Sequence, residues 1–446
     1  MSQTKGQSRR EFLAGAMAAA PYFVSSRALA GQGRAGANDK IRIGLIGAGG
    51  QGNWNLDRLL EQPDVVCTAV CDVWKERRDR TLAKCGGNAR GYNDFRDVLA
   101  RDDVDAVLIA TPPHWHAIMA IAAAEAGKDF YCEKPMTLHV AESLAVLRAV
   151  RKHKRITQIG TQIHATANYH HIVDIIRSGV IGTISAARTF HVLNQGPGGI
   201  GNVPDADPPD GLDWDLWLGP GPARRFHPLL AKDSYHHPSF MAYSGGWTPG
   251  MAPHLVDLPF WALELGLPVS ASSTGGRYII RDCGDAYDYH EVMWQFPNFT
   301  LTWMTSLVNS FAFNLQLSEG TGRRRGIYFH GTDGTIIADY GYLKIVPEGD
   351  RMKHAPTTRK TVPDSPGHHR EWLDCIRTRQ QPSCHVGYHY KIDVAIALAM
   401  LSLKLGRSVR FDATTETVVG DPEAARLMMP AYRAPWKLPA EYLQGV

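Results

Sequence analysis

Lys134 stands directly before a proline at the end of a short apolar run, in the stretch FYCEKPMTLH of residues 130–139. An ammonium group is costly to bury and a proline ends a strand, so Lys134 is expected at the edge of a buried strand, facing a cleft. Partial burial lowers a lysine pKa, and the free amine can then accept a proton from a substrate hydroxyl. A surface lysine before a turn is the alternative that these residues leave open.

A glycine-rich loop lies between a predicted strand at residues 41–46 and a predicted helix at 53–60. Its sequence GAGGQG fits the pattern G-x-G-x-x-G, in which glycines let the backbone approach a pyrophosphate and the helix N-terminus offers it N–H groups. This setting favours a dinucleotide-binding site over a plain glycine turn. The residues predicted to contact the dinucleotide here are Gly47, Gly49, Gly50, Gln51 and Gly52.

Asp72 ends the second predicted strand, residues 65–73. A carboxylate at this place can accept hydrogen bonds from both ribose hydroxyls and repel a 2′-phosphate, so the cofactor is predicted to be NAD. The nearby cations Lys75, Arg77 and Arg78 leave NADP as an alternative.

Further cofactor contacts are predicted where the next two strands end, because doubly wound sheets bind ligands at the carboxyl ends of their strands. The segment TPPHWH follows a predicted strand at 106–110, and EKP follows one at 128–132. The two histidines of the first segment could also serve as loop, cap or packing residues. The contacts predicted at these strand ends are Thr111, Pro112, His114, His116, Glu133 and Lys134.

The two halves of the chain differ in their sequence patterns. Apolar runs alternate with helical patterns up to a last strand at 156–160, which predicts a parallel, doubly wound sheet. Beyond it, loops rich in glycine and proline separate strand-like stretches such as 288–305 and 326–338, followed by a helix near 393–405. This pattern of strands and loops predicts an α/β domain with an open, mostly antiparallel sheet. The predicted organisation is a signal peptide at 1–30, a linker at 31–39, a Rossmann domain at 40–160, a substrate and oligomerisation domain at 161–425, and a tail at 426–446.

Residues 1–30 carry the features of an export signal. The sequence SRREFL at 8–13 is a twin-arginine pattern, and a short alanine-rich apolar stretch follows, ending in ALA at 28–30. The apolar stretch is too short to span a bilayer, and a buried N-terminal helix is the alternative. Removal of the segment lowers the formal net charge from +4 to +1, because its four cations face the single Glu11. The mature chain is therefore predicted to be periplasmic or otherwise exported, without a membrane anchor or a nucleic-acid partner.

The seven cysteines show no spacing typical of a metal site. Several lie in strand-like runs, where cysteine behaves as a small buried hydrophobic residue. No metal is predicted.

The glycine loop, the segment TPPHWH and the motif GKDFYCEKP, in this order, resemble the Gfo/Idh/MocA oxidoreductases, the family of glucose–fructose oxidoreductase and inositol dehydrogenase. The resemblance covers nearly all of the mature chain, including LDWDLWLGP and HLVDLPFWAL. It implies a Rossmann domain, a second domain with an open antiparallel sheet, and NAD(P)-dependent chemistry on sugars or cyclitols. It also implies that Lys134 is the catalytic acid/base before a cis Pro135, and that the protein forms a homo-oligomer.

Members of this family often carry an Asp-x-x-x-His pair after a Gly-Gly turn. Here the turn lies at 245–246 and the histidine is His254, but Gly250 occupies the place of the aspartate. The resemblance makes His254 the second predicted catalytic residue, as proton partner to Lys134. A buried structural histidine held by Asp257 is the alternative.

Polar and aromatic residues at the start of the second domain and near the Gly-Gly turn are predicted to bind the sugar. Pyranose faces stack on aromatic rings, and sugar hydroxyls need donors and acceptors. On one helix, His164, Asn168 and His171 would share a face. The predicted substrate-binding residues are Lys134, His164, Asn168, Tyr169, Tyr243, Trp247 and His254.

The predicted function is an exported NAD-dependent oxidoreductase that transfers a hydride between a tightly bound nicotinamide and a hydroxyl-bearing carbon of a sugar, glycoside or cyclitol. Outside the cytoplasm, no pool of free NAD is expected to exchange with the enzyme, which favours closed redox cycles. One alternative is therefore an NAD-dependent, redox-neutral glycoside hydrolase. In such an enzyme, oxidation at C3 acidifies the C2 proton, and elimination, water addition and re-reduction follow. A third hypothesis, non-catalytic sugar binding, rests on Gly250 in place of the aspartate.

Overall fold

A computed structural model describes residues 40–87, 89–311 and 324–445 of the chain. The predicted signal peptide and linker, residues 1–39, lie outside this range, so export stays a prediction. Two sheets with packed helices organise the described residues.

The first sheet is parallel throughout. Its strands are β1 (Ile41–Ile46), β2 (Val65–Cys71), β3 (Arg90–Tyr92), β4 (Ala106–Ile109), β5 (Asp129–Cys132) and β6 (Thr157–Ile159). They lie in the order β3-β2-β1-β4-β5-β6, and the reversal between β1 and β4 opens a crevice at their carboxyl ends. The predicted doubly wound sheet is confirmed, and the short edge strand β3 is an addition to it.

Helices between these strands bury two apolar clusters against the sheet. They are α1 (Gly50–Leu60), α2 (Lys75–Leu82), α3 (Phe95–Leu99), α4 (His116–Glu125) and α5 (Val140–His153). Helix α1 begins at Gly50, inside the glycine loop and before the predicted start at residue 53. The backbone N–H groups of this first turn therefore lie at the edge of the crevice.

The second sheet is antiparallel except for the pair β7 and β10, which confirms the predicted open, mostly antiparallel sheet. Its strands are β7 (Ile184–Val192), β8 (Ser270–Gly276), β9 (Tyr289–Phe296), β10 (Phe299–Ser306), β11 (Arg325–Gly331), β12 (Gly334–Ala338), β13 (Leu343–Pro347), β14 (Val409–Asp412) and β15 (Thr417–Val418). Their order is β13-β12-β11-β7-β10-β9-β8-β14-β15.

Helices of the second half pack mainly on one face of this sheet, where they form the largest apolar cluster. The helices of the second half are α6 (Ala167–Arg177), α7 (Trp214–Leu218), α8 (Met241–Ser244), α9 (Trp247–Ala262), α10 (His368–Thr378), α11 (Val386–Leu405) and α12 (Pro422–Leu427). Of these, α6, α9, α11 and α12 contribute to this cluster, whereas α7 and α8 pack in a separate cluster and α10 packs against the first domain. Among the described helices, α11 alone has the length and apolar composition to cross a membrane, but most of it is buried inside the protein, as in a core helix. The predicted homo-oligomer stays a prediction.

The end of the chain returns to the first sheet. Leu438 and Tyr442 are buried in one of its apolar clusters, and Trp372 of α10 is buried in the other. Arg148 of α5 donates hydrogen bonds to the carbonyls of Tyr442 and Gln444. The segment predicted as a tail, 426–446, therefore adds apolar contacts to the first domain.

Candidate active site

A cleft of about 490 Å³ lies between the carboxyl ends of the first sheet and loops of the second domain. It has the position in which open α/β sheets bind ligands. The predicted cofactor residues in its lining are Gly47, Gly49, Gly50, Gln51, Asp72, Thr111, Pro112, His116, Glu133 and Lys134. The structure thus brings together residues that are spread over the first third of the chain.

The glycines of the loop have three different local environments. Gly47 has φ +96°, and a Cβ there would lie 2.7 Å from the Ala110 carbonyl. A Cβ at Gly52 would lie 2.0 Å from the Gly47 oxygen, so this glycine allows α1 to pack on the loop. At Gly49 and Gly50, no described atom lies within 4 Å of an added Cβ. The open backbone at the start of α1 fits the pyrophosphate of a dinucleotide.

Asp72 is held by backbone amides on both sides of its carboxylate. Oδ2 accepts a hydrogen bond from the Ala48 amide at 2.7 Å, and Oδ1 accepts one from the Trp74 amide at 2.8 Å. Burial raises the pKa of Asp72, and these two hydrogen bonds oppose the rise. Each oxygen keeps a second lone pair for a donor such as a ribose hydroxyl.

A segment of the second domain, residues 230–238, lies along this part of the cleft and is called the strap below. Arg77 Nη2 donates hydrogen bonds to the carbonyls of Ala231 at 2.6 Å and Lys232 at 3.2 Å. Its guanidinium lies 4.4 Å over the Trp74 ring. Arg77, one of the cations that kept NADP as an alternative, therefore fastens the strap beside Asp72.

Glu133 is buried and connects three elements around the cleft. Its Oε1 accepts hydrogen bonds from Gln51 at 3.0 Å, Asn55 at 2.8 Å and Gln162 at 3.0 Å. A Cβ at Gly160 would lie 2.7 Å from this carboxylate. Glu133 therefore fixes the end of β5 against α1.

Lys134 is half-buried and follows Glu133 at the end of β5. The peptide bond to Pro135 is cis, as the family resemblance implied. Its Nζ donates a hydrogen bond to the Gly250 carbonyl at 3.2 Å, across the domain boundary. Burial lowers the pKa of Lys134, and the negative charge of Glu133 opposes the effect. The amine is thus held where its ammonium form is disfavoured.

His116 connects two of the loops that line the cleft. One ring nitrogen lies 2.7 Å from the Pro135 carbonyl, and the other lies 2.7 Å from the Thr111 carbonyl. Burial lowers the pKa of this histidine. His116 therefore braces the loop that carries Lys134.

His254 lies one turn beyond Gly250 on α9 and is half-buried. Its pKa is well below the usual value because of burial and, next, the positive charge of Lys134. The alternative in which Asp257 holds His254 is wrong. The carboxylate of Asp257 instead contacts His164 Nδ1 at 2.8 Å and accepts a hydrogen bond from the Tyr388 hydroxyl at 2.6 Å.

Three predicted substrate residues have internal partners. Asn168 Nδ2 donates to the carbonyls of Asp339 at 2.8 Å and Tyr342 at 3.2 Å. The Tyr169 hydroxyl donates to the His254 carbonyl at 3.0 Å and so supports α9. His164 is fully buried in a 3₁₀ turn before α6, so the prediction of a helical face shared with Asn168 is wrong.

Tyr243 and His114 belong to one packed wall behind the cleft. The Tyr243 hydroxyl donates to the Pro222 carbonyl at 2.7 Å. The His114 ring nitrogens lie 3.1 Å from the Trp217 carbonyl and 3.3 Å from the Tyr243 carbonyl. Burial lowers the pKa of His114 to about 3, so the ring is neutral. This wall positions the loop between α7 and α8.

Beside His254 the structure places three side chains that sequence reasoning missed: His191, Arg325 and Tyr340. Arg325 Cζ lies 4.0 Å from the Tyr340 ring centroid, and the Tyr340 and His254 rings are 6.1 Å apart. His191 stacks on Trp247 with 6.1 Å between ring centroids. Strand pairing and loop paths bring these residues together, and no local motif marks them.

Potential metal-ligand atoms of His164, Asp257 and Cys384 lie within 4.8 Å of one another, although no spacing in the sequence indicated a metal site. Both carboxylate oxygens of Asp257 already have protein partners, His164 and Tyr388. Burial raises the pKa of the Cys384 thiol and keeps it protonated. These contacts are those of a buried polar cluster beneath α9.

Two models of one protein family match the chain. The first, described as the NAD-binding Rossmann fold of an oxidoreductase family, matches residues 41–161, and the second, its C-terminal alpha/beta domain, matches 317–438. Together they cover more than half of the chain, and their order agrees with that of the two sheets. The chain belongs to the Gfo/Idh/MocA oxidoreductase family. The domain with the glycine loop and Asp72 is accordingly an NAD-binding domain.

Curated members of the Gfo/Idh/MocA family are similar to this chain over part of its length. An inositol 2-dehydrogenase of Salmonella typhimurium is 35% identical over 144 residues, which are 32% of this chain and 43% of the relative. A glycosyl hydrolase family 109 protein of Shewanella sp. is 30% identical over 158 residues, 33% of this chain and 34% of the relative. The chain therefore matches less than half the length of these relatives.

Solved structures share the fold over most of the chain. A levoglucosan dehydrogenase in complex with NADH and levoglucosan has a TM-score of 0.60 at 18% identity and covers 83% of this chain and 99% of its own. GenD2 from gentamicin A biosynthesis, in complex with NAD, has a TM-score of 0.61 at 17% identity, with coverage of 84% and 97%. At these identities, the likeness concerns the fold.

Proposed function

We propose that this protein is an exported, NAD-dependent oxidoreductase that acts on a hydroxyl of a sugar, glycoside or cyclitol. The observation that carries the proposal is the place of Lys134, a half-buried amine in the same cleft as the glycine loop and Asp72. Relatives named for inositol and levoglucosan support a carbohydrate substrate. The twin-arginine pattern at residues 8–13 supports export.

Residues of the glycine loop would hold the pyrophosphate of NAD, and Asp72 would hold its adenosine ribose. Bound NAD supplies the oxidant that accepts a hydride from the carbon bearing the hydroxyl. Lys134, as the free amine, takes the proton of that hydroxyl, and the carbon becomes a ketone. In the reverse direction Lys134 returns the proton.

His254 and Gly250 shape the surroundings of this proton transfer. The low pKa of His254 keeps its ring neutral, so it can share a hydrogen bond with the substrate hydroxyl. Gly250 brings no carboxylate to the side of Lys134, and a carboxylate there would favour the ammonium form. Lys134 therefore works in this chain without the aspartate that family members often carry.

The test is the redox state of the protein's own dinucleotide. Native mass spectrometry of the purified protein is expected to show bound NAD. Addition of candidate glycosides and cyclitols is then expected to produce the fluorescence of reduced nicotinamide, together with a ketone product. A protein that binds sugars but gives neither signal with any of them would be a binding protein and not an oxidoreductase.

A second candidate is a redox-neutral glycoside hydrolase, supported by the strap. The Arg77 hydrogen bonds hold the strap along the cleft beside Asp72, which suits a dinucleotide that stays bound through a closed cycle. Similarity to glycosyl hydrolase family 109 proteins agrees with this candidate. It predicts that glycosides release free sugar and aglycone without added NAD, and that solvent deuterium enters at C2. Stoichiometric consumption of added NAD would exclude it.

A further inference from the structure

Four basic side chains surround the region where the first domain meets α9. Lys134 contacts the Gly250 carbonyl on this helix at 3.2 Å, and His254 follows one turn later. His191 and Arg325 approach from the second sheet. Both lower the pKa of His254, although burial and the charge of Lys134 have the larger effects. The four groups therefore interact electrostatically.

His191 and Arg325 are directly opposite each other in the pairing of β7 with β11. Both point to the face of the sheet that carries the helices, because Ile327, two residues beyond Arg325, belongs to the core on that face. The His191 ring stacks on Trp247 at an interplanar angle of 13°. Trp247 is the first residue of α9. The side chains of Lys134, His254, Arg325, His191 and Trp247 are called the row below.

Several polar atoms in this row have no partner within the described part of the chain. His191 is only 7% exposed and Trp247 only 8%, yet His191 Nδ1 and Trp247 Nε1 make no hydrogen bond there. The buried Nε of Arg325 is also without a partner among the described residues. Buried polar atoms are nearly always satisfied, so these three neighbouring groups are available to hydrogen-bond a bound ligand.

The row carries positive charge, and the carboxylate of Glu133 lies beside Lys134 at one end of it. Arg325 forms no ion pair with any described carboxylate, and its guanidinium carbon lies over the Tyr340 ring, 4.0 Å from the centroid. Asp339, next to Tyr340, accepts a hydrogen bond from the Gly341 amide. Gly250 adds no carboxylate, and none of the described atoms lies within 4 Å of where its Cβ would be. The open cleft therefore borders this row at Lys134 and Gly250, and Arg325 supplies a fixed cation further along it.

The two histidines respond to this charge. Burial, with the charges of Arg325 and Arg324, lowers the pKa of His191 to about 4. His191 is therefore neutral at pH 7, and a negative group bound beside it would favour its protonation. An anion here would oppose the effects of burial and of the neighbouring positive charges, which together keep both histidines neutral.

We propose that the substrate of this site is an anionic sugar whose carboxylate or sulfate oxygens bind to Arg325, beside His191 and Trp247. The inference rests on the proposed function, since it names the substrate class of the same site. A guanidinium stacked on an aromatic ring keeps its N–H edge free, and that edge matches two oxygens of one anion. A uronic acid residue places such a carboxylate on the pyranose ring itself.

The test compares the binding of methyl β-glucuronide, methyl β-glucoside 6-sulfate and methyl β-glucoside to the purified protein with its bound dinucleotide. Calorimetry gives the dissociation constants without depending on turnover. At least one anionic sugar is expected to bind about tenfold or more tightly than the neutral glucoside, since hydrogen bonds to charged groups exceed neutral ones. The preference identifies carboxylate or sulfate as the anion.

Arg325→Gln is expected to weaken the anionic sugar about tenfold or more and to bring its affinity close to that of the neutral glucoside. Arg188→Gln is the matched control, because Arg188 is exposed on β7 and faces the other side of the sheet. It is expected to keep the wild-type preference. Gly250→Asp, which leaves Arg325 in place, is expected to weaken the anionic sugar through repulsion.

Equal binding of neutral and anionic sugars, or an anion preference that survives Arg325→Gln, would overturn the anion site. Either result would leave the proposed oxidoreductase intact if neutral sugars still reduce the bound nicotinamide. Selective anion binding without nicotinamide reduction by any sugar would instead keep the anion site and refute the proposed function.

Discussion

The side-chain amine of Lys134 lies 3.2 Å from the backbone carbonyl of Gly250. This contact joins the end of β5 in the first domain to α9 in the second, so the amine proposed to transfer the proton touches both halves of the cleft. A carbonyl can accept a hydrogen bond from either the amine or the ammonium form. The contact therefore orients Lys134 without holding it charged.

Lys134→Ala is expected to lower turnover by ~10²–10⁴ while the dinucleotide stays bound, because general acid/base catalysis is lost and the glycine loop is untouched. Single-turnover reduction of the bound nicotinamide measures the chemical step, and native mass spectrometry measures dinucleotide content. Lys128→Ala is the control, since this lysine precedes the same strand and binds the carbonyls of Arg101 and Val104. Wild-type turnover in Lys134→Ala would remove the assigned role.

Gly250→Asp is expected to move the pH profile of sugar oxidation to higher pH. Oxidation needs the free amine, so the rate rises with pH as Lys134 loses its proton, at a pKa that burial lowers. A carboxylate at position 250 favours the ammonium form and raises that pKa. Gly250→Asn gives a similar volume without charge and should keep the wild-type midpoint. Identical midpoints in the two variants would contradict the proposed titration of Lys134.

Gly52→Ala and Gly49→Ala are expected to separate folding from cofactor binding. A Cβ at Gly52 would lie 2.0 Å from the Gly47 oxygen, and such overpacking costs about 1–3 kcal/mol of unfolding free energy. Gly49 has φ −73° and open surroundings among the described residues, so alanine fits there but projects toward the pyrophosphate. Thermal unfolding of dinucleotide-free protein and NAD titration measure the two effects. Equal loss of stability in both variants would contradict this assignment.

Asp72→Ala is expected to weaken NAD and to reduce discrimination against NADP, because the ribose acceptor and the charge that repels a 2′-phosphate are both lost. Titration of dinucleotide-free protein with each cofactor gives the ratio of dissociation constants. Asp79→Ala is the control, as this aspartate is exposed on α2 and pairs with Lys75 and Arg78. An unchanged ratio in Asp72→Ala would place the ribose contact elsewhere.

Much of the first domain could be predicted from sequence because its signals are local. Buried parallel strands appear as short apolar runs, and the glycine loop has its own spacing. Strand β3 (Arg90–Tyr92) escaped prediction because it has three residues and lies at the sheet edge with little apolar content. The N-terminus of α1 was placed too late because glycines are poor predictors of helix.

The second-domain part of the site depends on contacts that no local pattern encodes. His191 and Arg325 are neighbours only because β7 pairs with β11, and the chain between them is long. Asn168 and Tyr169 have polar groups suited to sugar hydroxyls, but the fold pairs them with backbone carbonyls. Residue type alone does not show whether a polar side chain makes its hydrogen bonds within the protein or with a ligand.

Arg77→Met is expected to speed the exchange of the bound dinucleotide. The variant loses the hydrogen bonds from the guanidinium to the carbonyls of Ala231 and Lys232, which hold the strap in its place along the cleft. A hydrogen bond from a charged group contributes about 1.5–3 kcal/mol, which corresponds to roughly 10–100-fold in rate if opening of the strap limits release. Methionine keeps a long apolar chain over Trp74, so the packing of α2 is retained.

Exchange of bound NAD for isotopically labelled NAD, followed by native mass spectrometry, measures this rate. Lys75→Met is the matched control, since Lys75 is exposed on the same helix and its ammonium pairs with Asp79. It should exchange dinucleotide at the wild-type rate. If Arg77→Met also exchanges at that rate, the strap does not retain the cofactor, and the structural argument for a closed redox cycle is lost. If exchange accelerates while single-turnover oxidation is unchanged, the strap governs retention and Lys134 the chemistry.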